Sequence, residues 1–546
     1  MHRFNRSHRM VILFILAILV FILLGFKLFW IQVVKGPGLA RMAVRQRAQG
    51  LSLLSARGDI QDRHGCSLLD RDYFAGLAAF PAHYCGREEE IVERYKGVPG
   101  IDSIFSAPAG CAPFWINPRV DKGILPDSLV DSGGIPGIII SPSACRYGPD
   151  QLGSHVIGYL KESEGRGVSG IELSFDRELS RGQQEMLAAI VDGYNRLIEG
   201  RGYRLLKSGE SSRNILLSID RKLQQEVERI ADCRLIQGAI VVMNPADGDI
   251  LALVSRPNFN PGKISEQFQG DRASLLNRTI CGYQPGSVFK TVVAAAALEE
   301  GEAGLFQTFN CSGGIEVSGL HIPCSHLHPG DGVTLVEAFA YSCNTVFIQL
   351  ALQLGGDKLN YYARQLGLGE ATGIPLEGQE GLLPSVAELK NPRALANTAI
   401  GQGDLLTTPL QIARMMAIIA NGGRDINPRL VLAITDCRGN KIRHFISRGG
   451  RRVISSSTAN KLRYMMQAVT DRGTGGDAAI TRQGVAVKTG TAESGRFEGE
   501  REILNYWVAG FYPLERPKAV IVVFADHLRE GGVAQVFGEI ARYLEE

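Results

Sequence analysis

Three short polar motifs, far apart along the chain, constrain the fold more than any other feature. Each supplies part of what a serine acyl-transfer site uses when it has no histidine: a serine with a nearby lysine, a hydroxyl with an amide, and a second lysine with hydroxyls. No local structure holds all three, so a folded domain must bring them together. The motifs are Ser287-Val288-Phe289-Lys290, Ser342-Cys343-Asn344 and Lys488-Thr489-Gly490-Thr491.

The first motif is predicted to open a helix. Pro285 and Gly286 break the chain just before it, and residues 288–299 contain no breaker. Ser287 would then lie at a helix N-terminus, where free N–H groups and the helix dipole favour negative charge. Lys290 would lie one turn away on the same face, and burial would lower its pKa so that it accepts the serine proton. Taken alone, Ser-x-x-Lys is equally a helix cap beside a surface lysine.

The second motif supplies a hydroxyl and an amide ahead of an apolar run. Ser342 could relay a proton between Lys290 and a leaving amine, and Asn344 could hydrogen-bond both Lys290 and a substrate amide. Taken alone, the motif favours a polar turn that caps a helix.

The third motif follows a strand-like run. In a strand, Lys488 and Gly490 face one side and Thr489 and Thr491 the other. Gly490 removes a side chain where a backbone or ligand comes close, and the lysine and threonines suit a carboxylate. The N–H groups of Thr491 and Ser287 could form an oxyanion hole. Taken alone, the motif is equally a strand that ends in a turn.

The N-terminal segment is apolar enough to cross a bilayer. Residues 11–30 contain Lys27 as their only charge, and a transmembrane helix requires about 20 such residues. The run exceeds the ~7–15 apolar residues of a signal peptide, and a buried core helix is the other alternative. Basic residues flank both ends, so the positive-inside rule does not decide the orientation. We expect a cytoplasmic tail over residues 1–9 and an uncleaved anchor over residues 10–34.

A chain of 546 residues is too long for one core. Residues 35–210 are broken by glycine and proline, whereas residues 211–546 have a denser α/β pattern. Strands at both ends of this second region with helices between them predict an antiparallel sheet and a separate helical layer. The predicted elements include strands 214–219, 238–243, 250–254, 506–511 and 519–524, and helices 221–228 and 534–543.

The ten cysteines fit either a reducing or an oxidising compartment. Cys311 and Cys324 could close a short disulfide loop, and Cys343 lies near them. Cys311, Cys324, His326 and His328 could also bind zinc, but their spacing matches no structural zinc pattern. Free thiols are the default, so no metal is predicted. The net charge of +3 and the absence of a basic stripe with aromatic residues argue against a nucleic-acid partner.

In combination, the three motifs resemble those of penicillin-binding proteins and serine β-lactamases. Further stretches narrow the resemblance to class B penicillin-binding proteins, from about residue 55 to the C-terminus. His64 and Gly148 depart from this pattern, which usually has asparagine and proline there. The matching stretches include Arg57-Gly58-Asp59-Ile60, Arg146-Tyr147-Gly148-Pro149, Ser169-Gly170-Ile171-Glu172, Gly401-Gln402-Gly403 and Gly473-Thr474-Gly475.

The resemblance implies a peptidoglycan D,D-transpeptidase. Ser287 would attack the D-Ala–D-Ala carbonyl of a stem peptide, Lys290 would be the base and Ser342 the proton shuttle. The acyl group would pass to an amine on a neighbouring stem, and β-lactams would acylate the same serine. The predicted catalytic residues are Ser287, Lys290, Ser342, Asn344 and Lys488, and the predicted substrate-binding residues are Thr489, Gly490 and Thr491.

The resemblance also implies the architecture and the partners. We expect an α+β, multi-domain protein: a transmembrane anchor, a mixed α/β non-catalytic pedestal (residues 35–210) and a transpeptidase domain (residues 211–546) with an antiparallel sheet flanked by helices. The catalytic domain would lie outside the cytoplasm and use no cofactor. Expected partners are peptidoglycan stem peptides, lipid-linked nascent glycan, β-lactams, the membrane and a SEDS-type glycan polymerase. The alternatives are a D,D-carboxypeptidase, a β-lactamase, a β-lactam receptor and a scaffold that activates a polymerase.

Overall fold

The computed structural model describes the chain except residues 1, 37–38, 40–47, 53–56, 108–110, 121–134, 162–164, 182–183, 193–195, 198–201, 209–211, 270–271, 325–331, 379, 448 and 530. The strands are β1 (Ala48–Ser52), β2 (Ile60–Gln61), β3 (Asp72–Ala79), β4 (Phe114–Val120), β5 (Ile138–Cys145), β6 (Leu160–Lys161), β7 (Arg166–Gly167), β8 (Gln184–Ile190), β9 (Tyr203–Ser208), β10 (Asn214–Leu217), β11 (Leu235–Met243), β12 (Ile250–Arg256), β13 (Thr308–Phe309), β14 (Gly314–Val317), β15 (Leu320–Pro323), β16 (Val333–Thr334), β17 (Arg424–Ile426), β18 (Val431–Thr435), β19 (Lys441–His444), β20 (Gly449–Arg452), β21 (Ala486–Glu498), β22 (Arg501–Tyr512) and β23 (Ala519–Leu528). The helices are α1 (His2–Phe29), α2 (Pro81–Tyr84), α3 (Glu88–Arg94), α4 (Ser154–Ile157), α5 (Gly170–Ser174), α6 (Asp176–Leu179), α7 (Arg221–Arg234), α8 (Ile264–Gln269), α9 (Lys290–Glu299), α10 (Leu335–Ala340), α11 (Asn344–Leu354), α12 (Gly356–Gln365), α13 (Pro392–Ala399), α14 (Pro409–Ala420), α15 (Ser456–Arg472) and α16 (Val533–Glu545).

The N-terminal segment is helical, as the apolar run predicts. In the described ranges, one helical stretch, His8–Val34, is long and apolar enough to cross a membrane. Its side chains are exposed along its length. Because exposed apolar surface on this scale is unfavourable in water, the helix fits a single-pass membrane anchor.

Two compact units alternate along the chain. The first comprises residues 1–56, 73–144 and 183–209, and the second comprises residues 57–72, 145–182 and 210–546. The sequence predicts a single boundary near residue 210, whereas two earlier segments cluster with the C-terminal region.

The first unit contains two three-stranded sheets, β1-β8-β9 and β4-β3-β5. The pairs β1–β8 and β8–β9 are antiparallel, with Ala48 opposite Ile190 and Ala189 opposite Tyr203. A buried apolar cluster that includes Leu77, Tyr84 and Ile91 joins β3 to α2 and α3. A second cluster, which includes Phe80, Leu187 and Ala189, packs the two sheets against each other.

A buried carboxylate joins the two early segments of the second unit to each other. Glu172 is fully buried and accepts a hydrogen bond from Arg57 Nε at 2.6 Å, one from Tyr147 Oη at 3.0 Å and another from Arg146. A buried charge is tolerated only when it is paired and hydrogen-bonded. The first of these segments is joined to the C-terminal region by β2, which pairs in parallel with β10 through Ile60. Three stretches that resemble family motifs thus meet around one ion-pair cluster.

The second unit is built on an antiparallel sheet with strand order β12-β11-β23-β22-β21. Each of the predicted strands and both predicted helices are present, most of them longer than predicted. Asp220 caps α7 by accepting hydrogen bonds from the N–H groups of Lys222 and Leu223. The α+β class and the antiparallel sheet are confirmed.

The helical layer is unusually apolar at its centre. Nine of the ten residues of α9 are buried, including its first residue, Lys290. A helix that is apolar on all sides lies in a core, and α9 packs against α11, α12 and α15. Helix α14 is buried along its whole length and packs on β11, β22 and β23. This packing encloses the lysine of the first motif.

Candidate active site

Ser287 lies in a single helical turn, Gly286–Phe289, that leads directly into α9. It is half-buried, and its carbonyl accepts a hydrogen bond from the Lys290 N–H. Among the described residues, neither the hydroxyl nor the backbone N–H of Ser287 has a hydrogen-bond partner. Both groups are therefore free to interact with a ligand.

The turn before Ser287 is held by contacts that the sequence did not single out. Gly286 has φ of 52° and donates a hydrogen bond to the Gly401 carbonyl at 3.0 Å. A Cβ on Gly401 would lie 1.9 Å from the Gly286 oxygen, so only glycine fits. The Trp507 indole donates to the Gln284 carbonyl at 2.9 Å. In the sequence, the match of Gly401-Gln402-Gly403 to a family stretch is the one feature that points to these contacts with the Ser287 turn.

Lys290 is fully buried, and its amine contacts the second motif. The Nζ donates to the Ser342 carbonyl at 2.6 Å and to Asn344 Oδ1 at 2.7 Å, and it lies 3.2 Å from Ser342 Oγ. A neutral amine has two N–H donors and one lone pair. The two carbonyl oxygens use both donors, so the lone pair remains for a hydroxyl.

Burial lowers the pKa of Lys290 to about 7, because desolvation disfavours the charged amine. The nearby thiols of Cys343 and Cys324 act in the opposite direction and do not offset the effect of burial. A substantial fraction of the amine is therefore neutral near neutral pH, as a general base requires.

Lys488 approaches the same hydroxyl from the sheet. It lies within β21 and is fully buried, and its Nζ lies 3.3 Å from Ser342 Oγ and 2.8 Å from the Thr489 carbonyl. Desolvation and then the charge of Lys290 hold its pKa well below the ordinary lysine value. Because β21 continues for many residues beyond Lys488, the alternative of a strand ending at this motif is wrong.

The remaining residues of the third motif alternate in exposure along the strand. Thr489 is half-buried, Gly490 is buried and Thr491 is exposed. The Thr489 hydroxyl forms a hydrogen bond with that of Thr474. β21 is the edge strand of the sheet, and edge strands offer unpaired backbone groups to a ligand. The structure thus brings Lys290 and Lys488 to the same Ser342 hydroxyl, with Asn344 beside Lys290. Ser287 lies one turn before Lys290.

Gly490 lies where the two segments touch. A Cβ there would lie 2.8 Å from the Pro285 oxygen and 3.0 Å from Val288 Cγ2.

We expect Gly490→Ala to displace the Ser287 turn and slow penicillin acylation by about 10²-fold, since a displacement of about 1 Å has that effect. Stopped-flow acylation rates would measure it. Gly304→Ala is the matched control, because nothing lies within 4 Å of its Cβ; equal rates in both variants would contradict the prediction.

Three cysteines lie beside the second motif. The Sγ atoms of Cys311 and Cys324 are 3.5 Å apart, those of Cys324 and Cys343 are 3.6 Å apart, and all three are free thiols. The predicted zinc set also includes His326 and His328, which lie outside the described residues. Cys343, which that set omits, is the third sulfur of the cluster.

Comparisons with known proteins agree with this arrangement. Residues 238–542 match the family described as "Penicillin binding protein transpeptidase domain". The chain is 28% identical to stage V sporulation protein D of Bacillus subtilis, over 98% of this chain and 83% of that protein. It is 31% identical to the peptidoglycan D,D-transpeptidase PbpA of Mycolicibacterium smegmatis, over 64% of this chain and 74% of that protein.

A solved structure extends the likeness to the fold of most of the chain. Penicillin-binding protein 3 of Mycobacterium tuberculosis, complexed with aztreonam, aligns with a TM-score of 0.65 and 22% identity, over 90% of this chain and 96% of that chain. The sheet, the buried helix and the lysine pair thus define a penicillin-binding protein. The chain belongs to the penicillin-binding protein transpeptidase family, and its relatives place it among the class B members.

Proposed function

We propose that this protein is a peptidoglycan D,D-transpeptidase that works through an acyl-enzyme on Ser287. The observation that carries the proposal is the environment of Lys290, a fully buried amine whose two N–H donors are taken by carbonyl oxygens. Its lone pair is then available to accept the hydroxyl proton of Ser287, one turn away. The names of its transpeptidase relatives support the same activity.

The reaction forms and breaks one bond in each half. The Ser287 oxygen attacks the carbonyl between two D-alanines, an ester forms, the peptide bond breaks and D-alanine leaves with a proton. An amine from a neighbouring stem peptide then attacks the ester, a new amide forms and the Ser287 hydroxyl is restored. Ser342, between the two amines, relays the proton to the leaving group.

The third motif binds the substrate in this proposal. The buried amine of Lys488 provides positive electrostatic potential when protonated, and the hydroxyls of Thr489 and Thr491 donate to the terminal carboxylate. The free N–H of Ser287 and the N–H of Thr491 stabilise the developing oxyanion. Gly490 allows the two backbones to approach. A β-lactam enters by the same contacts and acylates Ser287.

The location of the substrate sets the orientation of the protein in the membrane. Because peptidoglycan stem peptides lie outside the cytoplasm, the second compact unit is extracytoplasmic in this proposal, with α1 spanning the membrane once. Lipid-linked nascent glycan is then within reach, and a SEDS-type polymerase is the expected membrane partner, as the class B resemblance implies.

The test is intact-mass analysis of the full-length protein in detergent after exposure to benzylpenicillin. We expect one covalent adduct on the wild-type protein and on Ser180→Ala, an exposed serine of the same unit, and none on Ser287→Ala. An adduct that persists on Ser287→Ala would refute the nucleophile.

A second measurement separates the acceptors. With a pentapeptide stem and an amine acceptor, a cross-linked product supports the transpeptidase, whereas release of D-alanine with only hydrolysed peptide supports a carboxypeptidase. Consumption of benzylpenicillin without an adduct would indicate a β-lactamase.

A further inference from the structure

Three thiols from separate segments meet at one point beside the second motif. Cys311 follows β13, Cys324 follows β15 and Cys343 immediately precedes α11. The Sγ of Cys324 lies 3.5 Å from that of Cys311 and 3.6 Å from that of Cys343, and the three sulfur atoms lie within 4.8 Å of one another. The cluster plays no part in the proposed acyl transfer.

These separations suit a shared metal ion. A thiolate binds Zn²⁺ at about 2.3 Å, so two thiolates in tetrahedral coordination lie about 3.8 Å apart. The two closest sulfur pairs already approach this distance. A small movement would bring the third pair, Cys311 and Cys343, to the same separation. A disulfide would instead require two sulfurs to close to about 2.05 Å.

Two of the three cysteines are partly exposed to solvent. Cys343 is buried, but Cys311 and Cys324 are half-buried, so the cluster opens toward solvent on their side. The Thr345 hydroxyl lies 3.1 Å from the Cys324 sulfur and can hydrogen-bond it, as neighbouring groups do around metal ligands.

We infer that Cys311, Cys324 and Cys343 form a binding site for a soft, thiophilic cation such as Zn²⁺. Binding forms three metal–sulfur bonds, and each thiol releases its proton to solvent without any transfer of electrons. Three protein ligands with an open fourth position are the arrangement of a site that takes water or an exogenous ligand.

The site is joined to the proposed catalytic residues through the backbone. Cys343 stands between Ser342 and Asn344, and the Asn344 amide donates to the Pro323 carbonyl at 2.8 Å, next to Cys324. A bound ion therefore fixes the loop that contacts Lys290. The metal site itself does not depend on the proposed transpeptidase activity.

The experiment is an anaerobic titration of the reduced full-length protein with Cd²⁺, which reports thiolate binding by ultraviolet charge-transfer absorption. We expect saturation at about one Cd²⁺ per chain in the wild-type protein and in Cys437→Ser, which removes an exposed free thiol elsewhere. Cys311→Ser and Cys343→Ser should each weaken binding at least ~10-fold. Displacement of Cd²⁺ by Zn²⁺ would support the assignment.

Two outcomes would overturn the inference. Charge-transfer absorption that is unchanged in both cluster variants would mean that the metal binds elsewhere on the chain. The second outcome is that the reduced protein shows no charge-transfer absorption with Cd²⁺ and, in air, loses two hydrogens as Cys324 forms a disulfide. That result would assign the cluster to redox chemistry. Penicillin labelling is read separately by mass, so failure of the metal site and failure of the proposed function are distinguishable.

Discussion

Replacing Lys290 with methionine is expected to slow acylation by benzylpenicillin by about 10²- to 10⁴-fold, the contribution typical of a general base. Methionine has a similar length and suits the buried position, but its thioether is too weak a base to accept the Ser287 proton. The Ser342 carbonyl and Asn344 Oδ1 would also lose their donor, at a cost of about 1–3 kcal/mol for each unsatisfied group. Stopped-flow acylation rates and thermal unfolding would measure the two effects.

The pH dependence of acylation gives an independent measure of the same amine. Because burial lowers the pKa of Lys290 to about 7, the neutral base becomes more populated as pH rises through that value. The wild-type rate should therefore rise between about pH 6 and pH 8 and then level off. A rate that is flat over this range would contradict the assignment.

The same shift has a consequence for stability. Between about pH 7 and the ordinary lysine value of 10.5, the unfolded state holds a proton on Lys290 that the folded state has released. The free energy of unfolding therefore increases with pH in this window. Lys290→Met removes this contribution to the slope. Lys263→Met is the control, since its side chain is 63% exposed, and it should change neither the acylation rate nor the slope.

Replacing Ser342 with alanine is the second change with a large expected effect. Its hydroxyl lies 3.2 Å from the Lys290 amine and 3.3 Å from the Lys488 amine, so it can pass the proton taken by Lys290 to the leaving group. Without it, we expect acylation to slow by roughly 10²- to 10³-fold, within the range for proton transfer by a positioned group. Rates of benzylpenicillin acylation would again measure the effect.

A glycine variant at position 342 separates the effect of losing the hydroxyl from the effect of backbone strain. Ser342 has φ of 59°, a left-handed conformation that costs a residue with a Cβ about 1–2 kcal/mol. Ser342→Gly relieves this strain while removing the same hydroxyl, so it should be more stable than Ser342→Ala and equally slow. A glycine variant with wild-type acylation would show that the proton relay is not needed.

Several features of this protein follow from local sequence. Proline and glycine before Ser287 end one segment and begin a helical turn, and the apolar Val-Ala-Val run before Lys488 leads into a strand. Asp220 caps α7 because its side chain reaches the first free N–H groups of that helix. The length and apolarity of residues 11–30 determine a membrane-spanning helix. Such features depend on neighbours in the chain, so the sequence is sufficient to predict them.

Other features depend on residues that are distant in sequence. The pKa of Lys290 reflects complete desolvation, which exists only because α11, α12 and α15 close around α9. Glu172 joins two early segments to each other, and β2 pairs with β10 of the catalytic region. The sequence pattern therefore predicts one boundary, whereas the two compact units alternate along the chain. Gly401 supports the Ser287 turn by close backbone approach, and Cys343 joins two other thiols. Local sequence thus specifies the reactive groups and the helices and strands that hold them. Tertiary packing sets their protonation, their separations and their neighbours, because burial and long-range contact are properties of the folded chain.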